Sequence, residues 1–472
     1  MAMIQKKERV VWIGITLFLL GFIFFTAITS SLIAQGPTLD DQQALKKFTE
    51  IYTYLREYYV DETKIDSNKL IDGALAGMFK SLDDPYSVYL TKDDLRDLED
   101  TSNGSFGGVG LSISKQRIYD KNGELMENTP IEVVSPLEGT PAFKAGVNAG
   151  DLIMRIEDKN TTEMTLDQVV KELRGQPGSK VTVTIKRGAS LVFDVTLVRA
   201  SIEIPTVRSE MMDNGIGYIR IVEFTNFTPA RIRDVINEYK TKNLKGLVID
   251  LRSNPGGVLS SVISISDYFL EKGAIVSIRS RVPSQNFVYN SNKNNDIVSE
   301  TMPIAVLVDK GSASASEILA GALQDNHRAV IIGEKSYGKG TVQHVKFVDD
   351  SGFKLTVARF FTPDGKKIDK EGVTPDIEIK EEEYTDSERE SFEKILKENL
   401  IVNFVSQTPN PTEKQVNDFI AKLKKQGIVL RELALKRLIH REMARGQNNP
   451  PVYDLSTDTV LQRAVEYIQK GK

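Results

Sequence analysis

One stretch of the 472-residue chain carries three alternating serines where nucleophilic chemistry could be supported. Gly311-Ser-Ala-Ser-Ala-Ser316-Glu-Ile follows directly on the apolar run Ile304–Val308. Its small residues lead into a helical pattern whose apolar face includes Ile318, Leu319, Ala322 and Leu323. A serine at a strand-to-helix turn lies at the positive end of the helix dipole, beside backbone N–H groups without helical partners. An anionic tetrahedral intermediate would be stabilised there. The commonest reason for serine at such a place is a helix cap, and three serines weaken that reading without removing it.

Lys339 stands in Gly333-Glu-Lys-Ser-Tyr-Gly338-Lys339-Gly340-Thr-Val-Gln343. The spacing is close to that of a phosphate-binding loop, but Gly340 occupies the place of the Mg²⁺-binding hydroxyl. The following residues, TVQHVKFV, read as a strand where a phosphate loop needs a helix. Nucleotide chemistry is set aside. A lysine between two glycines suits close approach to other backbone, and burial would lower its pKa until it could accept a serine proton. An isolated lysine is otherwise simply solvated. Gln343 follows by four residues, about 13 Å if extended, so a turn must fold it back if it is to orient the amine. A third stretch, Asp250-Leu-Arg252-Ser-Asn254-Pro-Gly256-Gly257, ends the apolar run Gly246–Asp250. Its Gly-Gly turn would let backbone N–H groups approach a substrate; plain turn chemistry accounts for it equally well.

Composition narrows the chemistry further. Without cysteine there is no thiolate nucleophile, disulfide, Fe–S cluster or Cys-based zinc site. His327, His344 and His440 are the only histidines, so no His-rich metal centre is expected, nor any cofactor, and a hydrolase would need a general base other than histidine. Sixty-one basic against 65 acidic side chains leave a net charge of −4, which gives no reason to expect a nucleic-acid partner.

The elements that must position these residues fall into five segments. Residues 1–35 hold Lys6, Lys7 and Arg9 and then an uncharged run from Val10 to Ala34. About 20 apolar residues span a bilayer as a helix, so the sequence predicts a basic cytoplasmic flank and a transmembrane anchor. The rest of the chain would lie beyond the inner membrane in single-pass topology; a signal peptide cut near Ala34 is the alternative. Residues 36–100 read as a helical domain, with apolar Leu45, Phe48, Ile51, Tyr52 and Leu55 at helical spacing. Residues 101–203 carry short strands (Val109–Ile113, Ile131–Val134, Leu152–Ile156, Val181–Arg187, Leu191–Val198) and one helix, Thr165–Leu173. Residues 204–380 alternate continuous apolar strands with helices, the pattern of a buried sheet with helices packed on it. Residues 381–472 are charged and helical, with Glu393–Val405, Glu413–Gln426 and Val460–Ile468 as expected helices.

Taken together and in this order, SASASE around Ser314, GKGTVQ from Gly338 to Gln343, and DLRSNPGG from Asp250 to Gly257 resemble the carboxyl-terminal processing (tail-specific) serine proteases. Gly107-Gly-Val-Gly110-Leu111 and Pro141-Ala-Phe-Lys-Ala-Gly146-Val-Asn-Ala-Gly150-Asp151 look like that family's PDZ domain. Asp84-Pro-Tyr-Ser-Val-Tyr-Leu90 is similar to its pre-PDZ segment, and Leu461-Gln462 to its ending. The resemblance covers Thr38 to Pro375. It implies a multidomain α/β protein in which an N-terminal transmembrane helix, a helical segment and a PDZ β-rich module precede a crotonase/ClpP-like α/β protease core and a helical C-terminal region.

The resemblance further implies Ser314 as nucleophile, Lys339 as general base and Gln343 as its orienting partner. The N–H of Ala315 and that of Gly256 or Gly257 would form the oxyanion hole. The choice of Ser314 over Ser312 and Ser316 rests on the family motif, since spacing leaves all three open. Substrate proteins would be held by their C-terminal tails, with the carboxylate on backbone N–H groups of Gly107, Gly108, Val109, Gly110 and Leu111. Arg174, just past the helix that lines such a groove, would pair with a tail carboxylate or with an acid of the protease core. The helical ends are expected to join two copies into a dimer. Two rivals stand beside this reading: a catalytically inactive PDZ scaffold or chaperone, and an acyl-CoA enzyme of crotonase type.

Overall fold

The computed structural model describes residues 38–470, apart from 116–128, 138, 149, 189, 204, 293–294, 296, 381–383 and 446–449. The chain divides into two compact units between Asp83 and Asp84, earlier than the expected boundary at residue 100. The expected transmembrane helix over 10–34 lies outside the described residues. No helix among those described is long and apolar enough to cross a membrane. The architecture is therefore corrected to a multidomain α/β protein with no membrane-spanning helix among the described residues.

Among the described residues of the first unit are the α-helices Leu39–Tyr58 and Ser67–Lys80. Thr38 and Asp41 cap the longer one reciprocally, Asp41 N–H donating to Thr38 Oγ1 and Thr38 N–H to the Asp41 carboxylate. None of its residues is buried; Leu45, Phe48, Ile51 and Leu55 remain 42–60% exposed.

In the second unit the central sheet has the order Val207–Met211, Ile216–Ile221, Gly246–Asp250, Ile304–Val308, Val330–Gly333, Ile377–Glu378. The first pair is antiparallel and the others are parallel. The continuous apolar runs follow from burial on both faces. Leu247, Ile249, Ile304 and Val306 enter the core under helices Thr228–Thr241, Leu259–Asp267 and Ala315–Asp325. Val248, Ala305 and Leu307 face the opposite layer, where Leu461, Ala464 and Ile468 of the last helix, Thr459–Lys470, cover them. Ala274–Ser280 departs from the expected series. It joins a second, antiparallel sheet with Phe287–Asn290 and Ser351–Phe361, which also takes in Thr341–Val348 and Val88–Leu90.

The β-rich module has a core of Ile131, Val133, Ile153, Val169, Val183 and Ile185 under helix Leu166–Leu173. The expected strand Val109–Ile113 is split. The backbone turns at Gly110 (φ +78°), so Ser105–Gly108 pairs with Ala200–Glu203 while Leu111–Lys115 starts the main sheet at its edge. In the C-terminal region, Asn399 (φ +50°) divides the expected helix Glu393–Val405 into Asp386–Lys397 and Leu400–Gln407. With Glu413–Lys425 and Glu432–Arg445 these form a separate small core around Ile401, Ile420, Leu423 and Leu435.

Candidate active site

The three alternating serines have different surroundings. Ser312 and Ser316 are buried, and their hydroxyls donate to Leu251 O (2.8 Å) and Asn254 O (3.0 Å). Ser314 is only partly covered. It precedes the helix Ala315–Asp325 with φ +54° and ψ −111°, a conformation that disfavours a side chain and is held only by surrounding structure. It occupies the capping position of a capping box with Glu317, whose carboxylate accepts the Ser314 N–H at 2.8 Å.

The Gly-Gly turn lies directly against this serine. A Cβ on Gly256 (φ +106°) would stand 2.8 Å from Ala313 O and Ser314 Cβ and 2.9 Å from Ala315 N, so only glycine fits. Gly256 N–H already donates to Asn254 Oδ1 at 2.8 Å. The N–H groups of Gly257 and Ala315 take no partner among the described residues. Of the two glycines, Gly257 therefore offers the donor. Behind the turn, Asp250 is fully buried and bonded by Arg252 and by the Tyr218 hydroxyl. The same arginine holds Asp458, just before the last helix, through two bonds of 2.9 and 2.6 Å. This charge-assisted pairing ties the C-terminal helix to the turn.

Lys339 is set against other backbone as its flanking glycines predict. A Cβ on Gly340 would lie 2.0 Å from Asp369 N. Burial holds the Lys339 ammonium below the usual lysine range; the charge of Lys354 adds to this and that of Glu317 opposes it. Its Nζ sits 4.7 Å from the centre of the Tyr86 ring, a cation–π contact supplied by the pre-PDZ segment. The Gln343 amide is engaged elsewhere. The strand Thr341–Val348 begins two residues earlier, and Gln343 Nε2 donates to Thr341 Oγ1 (2.7 Å) and Thr356 Oγ1 (3.4 Å). No bond from Gln343 to Lys339 is present among the described residues.

Residues 215–379 match peptidase family S41, 132–187 a PDZ domain, and 27–94 the N-terminal domain of the activating protease CtpB. A carboxy-terminal-processing protease of Bartonella bacilliformis is 41% identical over 374 residues, spanning 76% of this chain and 82% of the relative. The carboxy-terminal processing protease CtpA of Bacillus subtilis is 35% identical over 373 residues, 79% of this chain and 75% of that one.

The chain belongs to the S41 carboxy-terminal processing proteases. It is a serine-type peptidase with a PDZ domain, and its substrates are proteins. A solved photosystem II D1 C-terminal processing protease is 31% identical and covers 70% of this chain and 92% of its own, with a TM-score of 0.41.

In the PDZ domain of this S41 peptidase, Gly107 and Gly108 lie in the ribbon beside Ala200–Glu203. Val109 is a core residue, and Leu111 begins the edge strand. The N–H groups of Val109 and Gly110 take no partner among the described residues. Arg174 follows the helix Leu166–Leu173 and stacks on Phe106, 4.8 Å from the ring centre; Gly175 N–H donates to Gly107 O at 3.0 Å. The helix end and the glycine ribbon are thus joined.

Sequence reasoning passed over Glu317, Tyr86 and Asp458. The first was signalled by Ser314-Ala-Ser-Glu317, the spacing of a capping box. The other two lie far along the chain from the residues they meet; Tyr86 falls in the pre-PDZ motif, which does not point to Lys339, and no local pattern marks Asp458.

Proposed function

We propose that the chain is an endopeptidase that cuts substrate proteins near their C-termini with Ser314 as nucleophile and Lys339 as general base. The observation that carries this reading is the pairing of one partly exposed, strained serine with two N–H groups, of Ala315 and Gly257, that take no partner among the described residues. Lys339, kept below its usual pKa by burial, takes the Ser314 Oγ proton as Oγ attacks the substrate carbonyl. The two N–H groups receive the oxyanion, and the lysine ammonium protonates the leaving amine. Water then attacks the acyl-enzyme by the same proton path in reverse. Gln343 orients the Lys339 amine once its amide leaves Thr341 and Thr356.

The PDZ domain captures the substrate tail along the edge strand Leu111–Lys115, with the carboxylate on the N–H groups of Val109 and Gly110 and Arg174 nearby. A physical link to the catalytic turn supports coupling: Asn226 N–H donates to Ser102 O at 3.2 Å, and neighbouring Phe224 brackets Gly256 and Gly257 through Phe224 N–H to Gly256 O and Val258 N–H to Phe224 O. The uncovered apolar stripe of helix Leu39–Tyr58 serves a second copy of the chain.

The test is cleavage by the purified chain of a protein ending in a free apolar tail, against the same protein with an amidated C-terminus. The free tail should be cut about 5–150-fold faster, and Ser314→Ala should cut neither. Equal rates would remove tail capture from the account, and cleavage by Ser314→Ala would remove the nucleophile.

A further inference from the structure

The carboxylate of Glu317 is fully buried, and among the described residues it pairs with no cation within salt-bridge distance. A charge in that position is costly unless hydrogen bonds replace its water. Four do so. Oε2 accepts the Ser314 N–H at 2.8 Å and the Lys339 N–H at 2.9 Å. Oε1 accepts the Gly338 N–H and the Ser336 hydroxyl, both at 2.6 Å. Two of these donors belong to the very residues proposed as nucleophile and base, which sit on turns after different strands of the central sheet, Ile304–Val308 and Val330–Gly333. A helix cap alone would need only the Ser314 half of this set.

We propose that Glu317 is a positioning residue for catalysis, its carboxylate joining the backbone of Ser314 to that of Lys339 so that nucleophile and base share one rigid frame. This rests on the Ser314–Lys339 reading above. Glu317 touches no substrate, being enclosed, so its contribution falls on the chemical step and not on binding. It has a second, electrostatic consequence. The groups that act on the Lys339 ammonium are Lys354 from the strand Ser351–Phe361, which disfavours the charge, Glu317, which favours it, and the Tyr86 ring beneath it. Tyr337 and Asp369 act on Tyr86 in turn. Activity requires neutral Lys339 and so rises with pH through the lysine pKa. Removing the Glu317 charge lowers that pKa and moves the acidic limb of the rate profile to lower pH. A purely architectural glutamate would not move it.

Steady-state kinetics of the full chain on a tailed peptide separates these roles, using Glu317→Gln, Glu317→Asp and Ser336→Ala with Ser314→Ala and Lys339→Ala as references. Glu317→Gln should lower kcat by about 100-fold, the cost of a small misplacement of reacting groups, with KM within about twofold and the acidic limb shifted down. Glu317→Asp keeps the charge but is one methylene short, so kcat should fall while the limb stays at its wild-type pH. Should Glu317→Gln fail to fold, Ser336→Ala decides, with a severalfold lower kcat at unchanged KM expected from the loss of one of four bonds. Wild-type kcat in the variant that decides, or an unmoved limb in folded Glu317→Gln, overturns the assignment while leaving the Ser–Lys reading intact. Activity in Ser314→Ala or Lys339→Ala instead overturns that reading, and the role of Glu317 with it.

Discussion

The serine turn and the lysine hairpin follow parallel strands of the same sheet, but they are finished to different degrees. Around Ser314 the flanking groups are fixed: Ser312 and Ser316 are bonded to backbone carbonyls, Glu317 holds the strained residue, and Gly256 is packed against it. Around Lys339 the backbone is equally fixed, through Glu317 and the close approach of Gly340 to Asp369. The side chains differ. The lysine amine rests on Tyr86, and the Gln343 amide is engaged by two threonines. Thr356 N–H in turn donates to Ser87 Oγ at 2.9 Å, so the pre-PDZ segment reaches the surroundings of both proposed partners of the serine. The frame is built in advance, and the side chains proposed to move the proton are left to respond to what lies beside them.

Variants can break this contrast in order of expected size. Ser314→Ala and Lys339→Ala should each lower kcat by about 10⁴-fold or more, measured as peptide cleavage with circular dichroism confirming the fold. Lys339→Arg should be as inactive, since guanidinium does not deprotonate at usable pH. Gly256→Ala comes next. Its methyl would meet the serine turn at 2.8 Å, so both activity and melting temperature should fall, whereas Gly77→Ala, inside helix Ser67–Lys80 with open space at its Cβ, should leave activity near wild type.

Gln343→Ala should cost less, about tenfold in kcat, because its amide has other partners at rest. A loss as deep as that of Lys339→Ala would show the two sides of the site to be equally preset. The smallest effect expected is that of Tyr86→Leu. A cation–π contact is worth about 0.5–1 kcal/mol at a partly exposed site and favours the ammonium. Its loss should move the acidic limb to lower pH by less than one unit, read from kcat/KM against pH. Stability carries a matching sign. The folded-state pKa of Lys339 is depressed, so the unfolded chain binds the proton more readily and stability rises with pH through that window. Lys339→Met should therefore be inactive yet melt no lower than wild type at neutral pH.

Much of this was legible in the sequence because it rests on local chemistry. Alternating burial of Leu247, Val248 and Ile249 on a two-sided sheet produces a continuous apolar run, and Gly340 must be glycine because backbone passes 2.0 Å from where a Cβ would stand. Spacing left the three serines alike; they differ in burial, in the backbone conformation of Ser314 and in what their hydroxyls meet. The expected contact of Gln343 with Lys339 is not among the described bonds, because Thr341 and Thr356 hold its amide. Gly256 was a plausible oxyanion donor until Asn254, two residues before it, claimed its N–H. Asp458 was invisible for another reason. It meets Arg252 across most of the protease core, and no periodicity records such a pairing.

The most direct test of the serine–lysine account is the rate at which a fluorophosphonate acylates the protein as a function of pH, with the modified residue located by peptide mass. The account predicts a single adduct on Ser314. Its rate should rise with pH to a plateau, with an apparent pKa below the 10.5 of an unperturbed lysine, and Lys339→Ala should abolish the reaction. An adduct on Ser312 or Ser316, or wild-type labelling of Ser314 in Lys339→Ala, would contradict it.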